Sequence, residues 1–122
     1  MVLENFKLIK VENQQIIEID YRGEILDLHN AAEFLKIDYI IKTSMLTLLW
    51  KYHFNGKNII LFQIKFEDVI YFEVFPRDRE MPKEEDDCLE EIIYDEKLEF
   101  RFMGGMKIIV EADKVSFEKI ED

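Results

Sequence analysis

The sequence predicts a mostly β protein, built as a single antiparallel β-sheet or sandwich with one or two short helices. Apolar residues recur at every second position in several segments, the pattern of strands with one buried face. Turn-forming pairs such as Asn55-Gly56 and Gly104-Gly105 separate these segments. Apolar residues make up 48% of the 122 positions, enough for a core without disulfides. We therefore expect one domain over residues 1–122, with α+β as the alternative class.

The N-terminal third has two interpretations. Residues 7–11 and 16–21 alternate like strands, and Gly23 then closes a hairpin into residues 24–28. The alternative is a helix, because four apolar residues further on also have helical spacing. We favour a strand followed by one helical turn near residues 29–33. The residues with helical spacing are Ile25, Leu28, Ala32 and Leu35.

The central third predicts three antiparallel strands. A tight connection at residues 42–44 and a hairpin at Asn55-Gly56 join them. Glu67 and Asp68 interrupt the third strand, and residues 69–75 either continue it or form a bulged new strand. The apolar stripes are Leu35, Ile37, Tyr39 and Ile41; Leu46, Leu48, Trp50, Tyr52 and Phe54; and Ile60, Phe62, Ile64 and Phe66.

The C-terminal third repeats this pattern. Leu98, Phe100 and Phe102 alternate with charged residues, and Gly104-Gly105 turns the chain into residues 107–111. We expect a second turn at Asp113-Lys114 before a last strand over residues 115–120. The phenylalanines on strands, Phe72 and Phe75 among them, are expected in the core, whereas Trp50, Tyr52, Tyr71 and Tyr94 are expected in the core or partly exposed at an interface.

The longest predicted loop covers residues 76–87. Pro76 ends the preceding strand because proline cannot donate to a β-ladder, and Pro82 suits the first turn of a helix. This loop is the best place in the chain for a mobile recognition element.

An acidic run follows the loop. Residues 84–96 hold eight carboxylates and no lysine or arginine, so they supply most of the net charge of −11. One interpretation is structural: Glu84, Glu85, Asp86 and Asp87 occupy the first turn of a short helix, which buries Cys88, Leu89, Ile92 and Ile93. The second is a docking surface for a basic protein. No register of the run has the glycine that an EF-hand requires.

The predicted partner-binding residues come from this run and its loop. They are Glu84, Glu85, Asp86, Asp87, Glu90 and Glu91, together with Arg77 and Arg79. The sequence predicts no catalytic residue, metal ligand or cofactor, and we expect a protein that is not an enzyme. Cys88 lies among carboxylates, which raise the pKa of a thiol and make it a poor nucleophile. His29 and Glu33 have the spacing of a helical pair, but a local turn hydrogen bond is the favoured role for His29.

Charge and composition also limit the partners and the compartment. With 16 basic and 27 acidic residues, a nucleic acid or an anionic membrane is disfavoured as a partner. The first ten residues lack the pattern of a secretory signal, and one cysteine fits a reducing compartment. We expect a cytoplasmic protein.

Several short features resemble a known class of protein. His29-Asn30-Ala31, the pattern from Phe66 to Val74, and Gly104-Gly105 before a final hairpin are similar to small uncharacterised bacterial β-rich domains of the polymorphic-toxin immunity type. The resemblance covers residues 29–120 and implies a stoichiometric inhibitor that neutralises a toxin, often through an acidic surface. The alternatives are a structural module that forms a homo-oligomer through a sheet edge or an aromatic face, and a β domain that binds a small ligand.

Overall fold

A computed structural model describes residues 1–54 and 58–120 and confirms the mostly β class. In these residues the strands form one open sheet, and helical structure is confined to two 3-10 turns, Ile41–Thr43 and Lys83–Glu85. The strands are β1 Val2–Leu3, β2 Lys7–Lys10, β3 Ile16–Tyr21, β4 Glu24–Asp27, β5 Ala32–Ile40, β6 Met45–Phe54, β7 Asn58–Phe75, β8 Leu89–Asp95, β9 Lys97–Phe102 and β10 Lys107–Ile120.

The sheet runs in the order β2-β3-β8-β9-β10-β7-β6-β5, with β4 added to β3 and β1 added to β10. All pairs are antiparallel except β1 with β10. The sheet curls so that its last strand, β5, approaches β8. The backbone N–H of Phe34, in the last strand, donates to the carbonyl of Asp87 beside β8 at 2.9 Å. The curl encloses a single core.

The core is aromatic and is centred on Trp50 of β6. Trp50 is fully buried, and its ring lies 5.0 Å from Phe34 and 6.0 Å from both Phe62 and Phe102. These partners come from β5, β7 and β9, so one side chain ties together distant parts of the sheet. The alternating stripes of β6, β7 and β9 all point into this core, as the sequence predicts.

The expected turn at Asp113-Lys114 is wrong, because β10 runs without a break across those residues. A bulge accounts for the lost alternation. The register between β10 and β7 shifts between Glu111 and Ala112, and Asp68 on the partner strand has φ 54°. Residues 69–75 therefore continue β7 as a bulged strand, one of the two alternatives drawn from the sequence.

Of the helical turn expected near residues 29–33, only one hydrogen-bonded turn forms, and it lies earlier, over residues 28–31, where Ala31 N–H donates to Asp27 O at 3.1 Å. β2, β3 and β4 form the predicted hairpins, and an Asp27 side chain then closes the turn that follows. Its carboxylate accepts from the backbone N–H of His29 at 3.0 Å and of Asn30 at 2.9 Å. Such a side-chain bond competes with helix formation, and β5 begins directly at Ala32.

The acidic run begins in a single 3-10 turn that holds Glu84 and Glu85, and the longer helix that would bury residues 88–93 does not form. Pro82 precedes only the 3-10 turn, and the chain then enters β8. Leu89 and Ile92 are buried, although they are three residues apart. A bulge explains this spacing: Leu89 lies opposite Phe102 but Glu91 lies opposite Arg101, so Glu90 is extra. Because of the bulge, the two buried residues have the three-residue spacing that is also found on one face of a helix. The predicted hairpin at Asn55-Gly56 falls outside the described residues.

Candidate functional site

The loop between β7 and β8 is fastened to the glycine turn between β9 and β10. Asp78 N–H donates to Gly104 O at 2.8 Å, and Gly104 N–H donates to Glu85 O at 3.1 Å. Met103 N–H donates to Cys88 O at 2.8 Å. The loop that the sequence predicts as a mobile recognition element is thus held at both ends by backbone hydrogen bonds.

Arg77 and Asp86, both predicted to contact a partner, are bound to each other. Arg77 Nε lies 2.9 and 2.8 Å from the two carboxylate oxygens of Asp86, and its Nη2 donates to Met81 O at 2.9 Å. Each side chain is about one-third exposed. The pair therefore braces the loop internally. Arg79 is exposed, and no carboxylate of the described residues lies within ion-pair distance of it.

Glu91 is also engaged within the molecule. It lies 3.7 Å from Arg101 Nη1, and Arg101 hydrogen-bonds Glu99 as well. The bond to Glu99, followed by the charges of neighbouring carboxylates, raises the pKa of the Arg101 guanidinium. Glu91 thus belongs to a mixed charge cluster on the outer face of β8 and β9.

The remaining carboxylates form what we call the acidic patch: Glu84, Glu85, Asp87 and Glu90. Within residues 1–54 and 58–120, no lysine, arginine or histidine forms an ion pair with any of these four. The patch spans the 3-10 turn and the first residues of β8, a segment that also contains the paired Asp86 and the buried Leu89. Its backbone is therefore held in place.

His29 and Cys88 meet although they are 59 residues apart, a contact that the sequence gives no means to predict. Cys88 Sγ lies 3.8 Å from His29 Nδ1. The same nitrogen also contacts the carbonyl of Leu89, an acceptor only, so Nδ1 carries the proton in that bond. A protonated Nδ1 cannot accept the thiol proton.

The Cys88 thiol is itself held in its neutral form. Burial raises its pKa, and the charges of Glu85 and Asp87 raise it further. This is the direction that the sequence predicts. A nucleophilic cysteine needs the opposite environment, so these surroundings disfavour a nucleophilic role for Cys88.

We expect Cys88 to react slowly with iodoacetamide in the folded protein. Because burial and carboxylates disfavour the thiolate, the rate should still be rising with pH where an ordinary thiol, with a pKa of about 8.5, approaches its plateau. Mass spectrometry at a series of pH values measures this rate. The same protein in urea, with Cys88 solvated, is the control. A plateau at lower pH in the folded protein than in urea would contradict the assignment.

Glu33 does not pair with His29, the arrangement that the sequence disfavoured. It pairs across strands with His53, whose Nε2 lies 3.0 Å from Glu33 Oε1 on the outer face of β5 and β6. Over the described ranges, no group of three or more His, Cys, Asp or Glu side chains is arranged to hold a metal ion.

A surface depression of about 370 Å³ lies at the bulge of β7 and β10. Its cation, Lys114, is bound to Glu67 at 2.9 Å and to Glu4 at 3.3 Å. These bonds raise the pKa of Lys114, and the bond from Lys114 lowers the pKa of Glu67. Lys114 is thus already neutralised within the molecule, which disfavours this depression as a site for an anionic small ligand.

The last part of β7, residues 69–75, is the apolar surface that sequence reasoning missed, and we call it the β7 arm. Contrary to the predicted core positions, Phe72 is 38% exposed and Phe75 36%. Ile70, Tyr71 and Val74 are exposed as well. Trp50 and Tyr52, in contrast, are buried. A signal was present in the sequence, because apolar side chains at consecutive positions must occupy both faces of a strand.

The chain was compared with protein-family models, curated proteins and solved structures. No protein-family model, curated protein or solved structure matches it significantly. In the part of the chain that the structure describes, no helix is long and apolar enough to cross a membrane.

Proposed function

We propose that this protein is a non-catalytic protein-binding domain that docks on a basic partner through the acidic patch. The observation that carries the proposal is the state of its four carboxylates: each is free of ion pairs with the described residues, while Asp86 and Glu91 beside them are paired. The resemblance to immunity proteins gives the partner a specific form, a toxin whose basic surface the patch would cover. The free thiol of Cys88 fits a cytoplasmic location.

The fixed backbone of the patch supports this role. Ordering a loop on binding costs free energy, and a preorganised segment avoids that cost. The hydrogen bonds to the glycine turn and the Arg77–Asp86 pair order the segment before any partner arrives. Uncompensated negative charge on such a segment accelerates encounter with a basic surface and selects against acidic ones.

The chemistry of His29 and Cys88 supports a role without catalysis. This contact joins the chain's one thiol to an imidazole. Its thiol is neutral and the facing nitrogen is a donor. We infer that the two side chains pack the junction between the Asp27 turn and β8 and carry out no reaction.

Neutralising the acidic patch should slow association with the partner. The first candidate partner is the product of the adjacent gene, because inhibitors of this type are encoded beside their toxins. We expect a variant in which all four carboxylates become amides to associate at least tenfold more slowly at low salt, and the difference to shrink in high salt. Stopped-flow or surface plasmon resonance measures the rate. The variant combines Glu84→Gln, Glu85→Gln, Asp87→Asn and Glu90→Gln.

A second variant with the same change in net charge is the matched control. It should associate at nearly the rate of the unmodified protein, because its changes lie away from the patch. Equal slowing in both variants would show that only the net charge of the protein matters, and not the position of the patch. No slowing in either variant would reject the proposal. The control combines Glu12→Gln, Asp68→Asn, Glu96→Gln and Asp113→Asn.

A further inference from the structure

We propose that the β7 arm pairs antiparallel with the same arm of a second copy, about a two-fold axis beside Phe72. The sheet of one copy would then continue into the sheet of the other. This inference rests on a different surface from the acidic patch, and it leaves the patch free for a partner.

The edge of the arm is open. On one side its residues pair with β10, from Val69 opposite Ala112 to Phe75 opposite Lys107. On the other side β6 pairs with β7 only as far as Phe66. Val69 N–H donates to Ser44 O at 2.9 Å, and no strand of the described residues lies along that edge beyond this bond. A free edge with unpaired N–H and C=O groups is a template for another strand.

Two other free edges of the sheet are protected, and the arm is not. β2 is only four residues long, carries lysine at both ends and contains a bulge. β5 carries Lys36 and Asp38 and also contains a bulge. Lysines, bulges and short length are the devices that prevent edge pairing. Beyond the bulge at its base, the arm has no lysine and one charged residue, Glu73.

The side chains of the arm leave apolar surface to be covered. Opposite residues of a strand pair share a face, so Phe72 and Val74 lie on the same face as the buried Val110 and Ile108. The ring of Tyr39 packs on Phe72 at 4.5 Å and covers it only in part. Ile70 is 67% exposed. A strand added to the open edge would flank these side chains and remove apolar area from water.

The sequence of the arm identifies the occupant as a second copy. Around Phe72, the antiparallel register places Ile70 opposite Val74, Val69 opposite Phe75 and Tyr71 opposite Glu73. The apolar residues meet apolar residues, and the Tyr71 hydroxyl, which donates to Glu73 of its own strand, meets the Glu73 carboxylate of the other. An axis beside Glu73 would instead set two carboxylates against each other, which is destabilising.

Charge also favours a second copy over a basic partner at this place. Two molecules of net charge −11 repel each other, but the carboxylates beside the arm are accompanied by lysines: Asp95, Lys97 and Glu99 line one depression with Tyr71. Lys97 lies 4.6 Å from the centre of the Tyr71 ring, and Lys107 lies 5.4 Å from that of Phe75. A basic surface would meet these lysines here, whereas the arm of a second copy brings apolar side chains and one carboxylate.

Sedimentation equilibrium of the purified chain tests the proposal. We expect a mass of twice 14.8 kDa at micromolar concentration, and a monomer for Ile70→Lys, which places a cation in the interface at a position too exposed to disturb the core. Ile59→Lys is the matched control, since Ile59 is 52% exposed on β7 away from the arm, and it should remain dimeric. A monomeric unmodified protein, or equal behaviour of the two variants, overturns the proposal.

A charge exchange tests the register. Ile70→Lys and Val74→Glu should each give a monomer, because each buries an unpaired charge. In the double variant every new lysine faces a new glutamate of the other copy, so the dimer should return. A double variant that stays monomeric while circular dichroism shows a folded sheet overturns the register beside Phe72. The acidic-patch variant should keep the dimer mass, which separates this proposal from the proposed function.

Discussion

Trp50→Ala should lower the free energy of unfolding by about 3–5 kcal/mol, the range for losing a large aromatic side chain from a core. Trp50 is fully buried and lies against the rings of Phe34, Phe62 and Phe102. Those partners sit on three strands that cannot close the cavity together without breaking their ladders. Urea denaturation followed by circular dichroism measures the change.

Trp50→Phe tests the contribution of the indole N–H, which has no acceptor among the described residues. An unsatisfied buried donor costs about 1–3 kcal/mol, and phenylalanine removes it while leaving a smaller cavity. We expect the two effects to offset each other, so that stability changes by about 1 kcal/mol or less. A loss as large as that of Trp50→Ala would show that the N–H contributes to stability or that the site cannot adapt to a smaller ring.

Gly105→Ala should destabilise the protein by about 2–5 kcal/mol. Gly105 has φ +95°, a conformation that costs other residues about 1–2 kcal/mol. A Cβ at this position would also lie 2.7 Å from Asp78 Cβ and 2.9 Å from Asp78 N, and such overpacking typically costs about 1–3 kcal/mol more. The backbone of Asp78 would have to move, and its hydrogen bond to Gly104 would weaken. Thermal and urea denaturation measure the loss.

Gly23→Ala separates the two causes. Gly23 has a similar φ of +88°, but a Cβ there would meet nothing within 4 Å. This variant should therefore lose only the conformational cost, about 1–2 kcal/mol. Equal losses at the two glycines would contradict a packing role for the β9–β10 turn. Since that turn carries the loop, we also expect Gly105→Ala to slow association through the acidic patch.

The alternation of apolar residues was enough to predict the mostly β class and most of the strands. Each stripe on β6, β7 and β9 points into the core because the strand period of two is a property of the local backbone. Hairpin neighbours follow in the same way, since short connections bring consecutive strands together. The pairing of β3 with β8 is different, because Ile16 and Ile92 are far apart in the sequence and no short connection joins their strands.

Bulges account for the main errors of local prediction. The extra residue at Glu90 buries both Leu89 and Ile92, which has the appearance of a helix in the sequence. The irregularity beside Ala112 removes the alternation of β10 and has the appearance of a turn. A bulge depends on the register with a partner strand, and that register is not encoded in the segment itself.

The candidate site was predictable only in part. The excess of carboxylates in residues 84–96 is visible in the sequence, but which of them are neutralised is decided by Arg77 and Arg101 on other segments. The open edge of β7 was hidden for a related reason. Phe72 and Phe75 belong to a strand that outruns its neighbour β6, and only the relative lengths of paired strands reveal this.

The junction of β1 with β10 has a consequence for how the chain is made. The Asn5 side chain acts as a strand residue would, accepting from Phe117 N–H and donating to Phe117 O, both at 2.8 Å, across 112 positions. At about 5–20 residues per second, a ribosome needs roughly 6–22 s to synthesise the residues between them. The first strands to leave the ribosome therefore wait for their partner strand until the end of synthesis. During that interval their apolar side chains stay exposed to water.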